Sequence, residues 1–182
     1  MFHANTTKLI EEWRTRRVGR ALPARTDISP VQFGALLPQI FILGQEDDGA
    51  EVFRLAGGLL ADLHGRELRG ADFFTLWARP VRDQVRAALA EARSAGTPVV
   101  LHAGAVTEEG DEIGIEIVLA PLMGAAGAAD RTIGLYQPVS TVARLMGRSV
   151  QSLTWRGAKL ADAVAPRPAY LKLVAIEGRR VA

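Results

Sequence analysis

Four glycines between Arg54 and Gly70, in the stretch RLAGGLLADLHGRELRG, offer the first spacing in this sequence with a chemical reading. Gly65 and Gly70 stand as far apart as the two glycines of a phosphate-cradling loop, but Ala71 and Asp72 follow where a lysine and a magnesium-binding hydroxyl are needed. Gly57-Gly58 does not supply the three-glycine turn that opens a dinucleotide-binding helix. These glycines therefore read as turn makers between short elements. Other chemistries fail on residue type. There is no cysteine, hence no thiol nucleophile, disulfide or thiolate metal site. The three histidines, His3, His64 and His102, form no close pair for a metal, and no G-x-S-x-G elbow holds a serine nucleophile. Glu67 between Arg66 and Arg69 reads as a surface ion pair. No catalytic residue and no metal ligand is assigned.

Charge and hydropathy narrow the class further. The net charge of +2 is unevenly spread: residues 1–25 carry +4, residues 26–140 carry −8 and residues 141–182 carry +6. The basic ends read as lying against the acidic middle. A nucleic-acid partner is not expected, because the tail lacks a dense basic run and stacking aromatics. No run approaches the roughly 18–20 apolar residues that span a bilayer, and the N-terminus lacks the order of a signal peptide. A cytoplasmic location, with no membrane partner, is the expectation.

The elements follow from periodicity. Residues 5–17 predict a helix capped by Asn5 or Thr6, with Leu9, Ile10 and Trp13 on one face. Residues 39–44 and 50–58 predict a hairpin around EDDG, followed by a short helical turn at 59–63. Asp72 is placed to cap a turn bearing Phe73, Phe74, Leu76 and Trp77. Pro80 opens the longest helix, which presents Val85 and Leu89, and Gly96 and Pro98 stop it. The period then becomes two, predicting strands at 98–107, 111–123 and 131–140. The EEG turn at 108–110 sets a register that places His102 opposite Glu116. Beyond 140 the alternation fades, with YLKLVAIEG (170–178) as one further strand candidate. The class is α+β, divided into an N-terminal helical extension (1–21), a central domain (22–140) and a basic C-terminal extension (141–182).

This order resembles the PAS fold. The phrases Trp13-Arg14, LPARTDISP (22–30), LLPQIFIL (36–43), RLAGGLL (54–60), GRELRG (65–70) and Leu76-Trp77 are similar to those of single-domain PAS proteins of the alphaproteobacterial type. The resemblance implies a five-stranded antiparallel sheet with short helices and one long helix on one face, enclosing a cavity. It also implies a sensory or signalling module that binds a small molecule or a partner protein and forms a homodimer. PAS haem sensors place a histidine on the long helix, and residues 80–95 contain none. A cysteinyl chromophore adduct is excluded by composition. No cofactor is assigned.

On that frame the expected ligand-binding wall is Val85 and Leu89 from the long helix, with Leu101, Ile115 and Leu135 from the sheet. Leu55 and Leu59 close one side, Phe73 and Trp77 sit on the short turns, and Arg54 and His64 are the polar handles. Such a lining suits a hydrophobic or amphipathic ligand better than a nucleotide. The N-terminal helix is expected to cover Val100, Val118 and Tyr136 of its own or a partner subunit. The expected function is binding without catalysis. A small-molecule enzyme using the same cavity, or nucleic-acid binding through the basic tail, are the alternatives.

Overall fold

In the computed structural model, which describes residues 1–17 and 19–161, the alternating stretches form a single antiparallel sheet. Its strands are β1 (Ile40–Gln45), β2 (Glu51–Ala56), β3 (Val99–Thr107), β4 (Glu112–Leu122), β5 (Arg131–Pro138) and β6 (Val150–Leu160), in the order β2-β1-β5-β4-β3-β6. The β3–β4 turn sets the expected register, with His102 opposite Glu116. The sheet has six strands, where five were expected. The sixth runs along β3, placing Leu153 opposite Ala105 and Trp155 opposite Ala103. Its sequence hides it for two reasons. It is an edge strand with exposed positions along its length, and register shifts at His102/Ala103 and Val106/Thr107 break its alternation. The strand candidate at 170–178 lies outside the described residues.

Both faces of the sheet are covered. On the first face, Leu101, Ala103, Ala105, Ile113, Ile115, Ile117 and Tyr136 meet α2 (Gly58–His64), the turn Phe73–Leu76 and α3 (Arg82–Ala95). Asp72 caps that turn as expected, its carboxylate accepting from the Phe74 N–H at 3.0 Å. A Cβ on Gly134 would stand 2.0 Å from the Phe41 ring, so only a glycine lets that ring lie across β5.

On the second face, α1 (Ala4–Thr15) lays Leu9, Ile10 and Trp13 over Val100, Val118, Ile133 and Leu135, with Ile28, Phe33 and Leu36 beside them. Its cap is His3, whose Nδ1 accepts from the Asn5 N–H, and the helix begins one residue before the expected start. Polar bonds fix the helix along its length. The His3 N–H donates to the Glu116 carboxylate (3.0 Å), Asn5 Nδ2 to Gln137 Oε1 (2.9 Å) and Trp13 Nε1 to the Pro121 carbonyl (2.8 Å). Tyr136, expected from the sequence to lie under this helix, sits instead in the core on the opposite face, because it pairs with Ile117 rather than Val118.

Trp13 joins burial and bonding in one side chain, so its replacement tests the docking of α1. Trp13→Ala is expected to cost about 3–5 kcal/mol of unfolding free energy. Trp13→Phe keeps much of the apolar contact but orphans the Pro121 carbonyl, at about 1–3 kcal/mol. Urea denaturation followed by circular dichroism checks both. Losses under 1 kcal/mol in both variants would mean that the helix does not hold the sheet in solution.

Candidate functional site

Six of the eleven residues expected from sequence meet in the core of the first face. Val85 and Leu89 reach down from α3, Phe73 and Trp77 from the short turns, and Leu101 and Ile115 up from the sheet. His64 joins this core through Tyr136, their rings 5.8 Å apart and nearly perpendicular. The other four residues lie elsewhere, each for a local reason.

Leu135 lies on the second face. Directly opposed residues share a face, and Leu135 opposes Val118 whereas Tyr136 opposes Ile117. Counting odd positions across the GAAGAAD loop misassigns both. Leu55 also packs toward the second face, because the β1–β2 register shifts between Ile42 and Leu43 and leaves Arg54 as the extra residue. Arg54 points into solvent and pairs with Glu46, so it is no handle for the core. On α2, Leu60 is the residue buried in the first core, while Leu59 is half-buried.

The core also holds an aromatic cluster among its aliphatic side chains. Phe73 stacks on Phe41 and meets Phe53, Phe74 and Trp77 edge-on, and Trp77 leans on Trp155 of β6. Leu145, Val150 and Leu153, from the stretch read as a C-terminal extension, close its far end.

Three polar atoms in this apolar setting have no hydrogen-bond partner among the described residues: His64 Nε2, Tyr136 Oη and Trp77 Nε1. Their residues are 6%, 0% and 1% exposed. Leaving such a group unpaired costs about 1–3 kcal/mol, which an apolar residue of the same shape would avoid. His64 ends α2 and hydrogen-bonds the Val150 backbone at the start of β6. With Nε2 bare, that bond belongs to Nδ1, and a ring nitrogen donating to a carbonyl leaves Nε2 as an acceptor. The junction is tight: a Cβ on Gly65, whose φ is +61°, would meet Ser149 Oγ at 2.3 Å. Burial lowers the His64 pKa to about 4, outweighing the opposing effect of the Val150 bond, and the Arg66 charge adds to the lowering. Burial likewise raises the pKa of Tyr136, keeping its hydroxyl protonated.

A feature the sequence reading missed closes the other side of this core. Glu51, 1% exposed, accepts from Arg93 at 2.5 and 2.8 Å, tying β2 to the last turn of α3, and the same guanidinium reaches Thr132 Oγ1. Desolvation raises the Glu51 pKa even against the pull of Arg93. The signal for its burial was present, since Glu51 and the core residue Phe53 are two apart on one strand. Its partner, 42 residues away, was not marked.

His64 makes stability depend on pH with a definite sign. A histidine whose folded pKa lies below its unfolded value takes up its proton more readily when unfolded. Its contribution is complete above about pH 6.5 and is lost as pH falls toward 4, by about 3 kcal/mol in all. His64→Gln should flatten this part of the profile. Urea unfolding of both proteins between pH 7.5 and pH 4 measures the difference. Equal slopes would show that His64 is not buried as a neutral group.

Residues 1–137 match a family model described as a PAS domain. Among solved structures, the chain is similar to a Rhodobacter sphaeroides LOV protein at 14% identity and a TM-score of 0.46, over 59% of this chain and 62% of that one. The dark structure of the blue-light photoreceptor Aureochrome1 LOV aligns at 15% identity and a TM-score of 0.47, over 65% and 88%. The PAS domain of a protein from Colwellia psychrerythraea aligns at 12% identity and 0.43, over 55% and 86%. The chain thus spans less than two thirds of the Rhodobacter protein that it matches. No curated protein matches it. The sheet, its flanking helices and a family match over residues 1–137 lead to one assignment: the chain belongs to the PAS domain family.

Proposed function

We propose that this PAS domain is a sensory or signalling module that takes a small hydrophobic or amphipathic ligand into the core of its first face. It acts on a partner protein and performs no catalysis of its own. One observation carries the reading: unpaired polar atoms on His64, Tyr136 and Trp77 within a core of aromatic and aliphatic side chains. A purely structural core gains nothing from such groups, whereas a ligand-binding core uses a few of them to orient its guest.

The segment between β2 and α3 is the natural entrance. It consists of α2 and short 3-10 turns, which have few backbone bonds to hold them. Homodimerisation and contact with a signalling partner belong to the same proposal. The second face is covered by the chain's own α1, so assembly uses other surface. Val139, Val142 and Met146 are exposed apolar side chains close together in sequence and suited to it. A cytoplasmic location is proposed on the related ground that, among the described residues, no helix is long and apolar enough to cross a membrane.

Lipophilic compounds should raise the melting temperature of the wild type, and Leu89→Trp, which places an indole in the core, should abolish those shifts. Thermal shift and tryptophan fluorescence measure this, with circular dichroism reporting the fold of the variant. The reading fails if no compound stabilises the wild type, or if the hits persist in a folded Leu89→Trp protein. Sedimentation at high micromolar concentration should give a dimer, and a monomer there would remove that part of the proposal.

A further inference from the structure

Within the first core, His64 and Tyr136 stand apart from the other unpaired groups because they touch each other. Their rings are in edge contact at 5.8 Å, yet Nε2 and Oη do not bond to one another or to any other group among the described residues. The chemistry of each is fixed by its surroundings. Nδ1 of His64 is committed to the Val150 backbone, so Nε2 offers a lone pair and seeks a donor. Tyr136, wholly buried, keeps its phenolic proton and has that proton to give. A group that serves both must donate one proton and accept another through a single small atom. A hydroxyl does this. A carboxylate has no proton to give Nε2, and an ammonium cannot accept from Tyr136.

The rest of the setting constrains the ligand's charge. The core around the pair is built from apolar side chains. Glu116 accepts from the His3 N–H on the opposite face, and Glu51 is occupied by Arg93. Apolar walls give a charged ligand no buried counter-ion, so taking a charge into this core would be costly.

We propose that the His64–Tyr136 pair binds the hydroxyl group of an uncharged, otherwise apolar small molecule, His64 Nε2 accepting its proton and Tyr136 donating to its oxygen. This rests on the ligand-binding reading of the core and adds the class of ligand. His64 also bonds the first residue of β6, so the same side chain would meet both the ligand and the edge strand.

The test uses the full chain and three probes of similar size: benzyl alcohol, toluene, which lacks the hydroxyl, and benzoate, which is charged. Binding is measured by calorimetry, and the His64 ring nitrogens are followed by nitrogen-15 NMR. Benzyl alcohol is expected to move the Nε2 resonance and to bind about tenfold more tightly than toluene, the worth of one satisfied buried hydrogen bond. Benzoate is expected to bind more weakly than either. In Tyr136→Phe, the preference for benzyl alcohol over toluene should shrink, since only His64 Nε2 still bonds the hydroxyl, with toluene affinity retained. If that variant does not fold, the wild-type Nε2 response decides. Equal binding of benzyl alcohol and toluene, with Nε2 unmoved, overturns the hydroxyl site while leaving the ligand-binding core in place. An Nε2 already hydrogen-bonded to water and unchanged by every probe also overturns it. Binding of none of the three overturns both.

Discussion

Strand β4 is buried without interruption from Ile115 to Leu122, on both of its faces, and the architecture follows from that constraint. A strand wetted on neither side needs two covers, since side chains alternate between faces. α1 supplies one through Leu9, Ile10 and Trp13. α3, α2 and the short turns supply the other. The two covers differ in kind. α1 is a single helix bonded to the sheet through Glu116, Gln137 and Pro121, whereas the first face is roofed in several pieces. A roof in pieces can admit a guest with less loss of structure than a continuous helix can.

Buried polar groups are paired in some places and unpaired in others on both sides of the sheet. Beneath α1, the Glu116 carboxylate, the Gln137 amide and the Trp13 indole are each engaged. At the rim of the first face, Glu51 and Arg93 answer each other across β2 and α3. Such a pair contributes little net stability, but each partner left alone would be costly, so it fixes where the end of α3 sits. Inside the first face, His64, Tyr136 and Trp77 remain unpaired. Among the described residues, Thr6 Oγ1 on α1 and Arg93 Nε at the rim are unpaired as well, so what sets the first core apart is that two of its unpaired groups, on His64 and Tyr136, lie in ring contact.

His64 connects that centre to the edge of the sheet. Its backbone partner, Val150, begins β6, the strand that fading alternation concealed. The turn before β6 passes through Met146 and Gly147, both with positive φ, and Arg148 is held by Glu109 and Asp111 of the β3–β4 hairpin. The start of β6 is thus fastened to two hairpin carboxylates and to one histidine of the core. Of these attachments, only the histidine also reaches the unpaired group on Tyr136.

Local patterns determined much of this by themselves. The periods of α3, β3 and β4, the Asp72 cap and the EEG turn each depend on neighbours a few residues apart, and the structure agrees with all of them. The absence of cysteine and of phosphate-loop lysine excluded whole chemistries on composition alone. What failed were readings that carried parity across an irregularity. The β1–β2 bulge turned Leu55 away, and the GAAGAAD loop exchanged the faces of Leu135 and Tyr136. A single extra residue reverses every side chain beyond it, and its energy comes from strands distant in sequence. Burial of His64, its bond to Val150 and its contact with Tyr136 join residues 72 to 86 positions apart. No local pattern encodes such a meeting, so the fold's shape was written in the sequence, but the placing of its unpaired groups was decided only when the chain closed on itself.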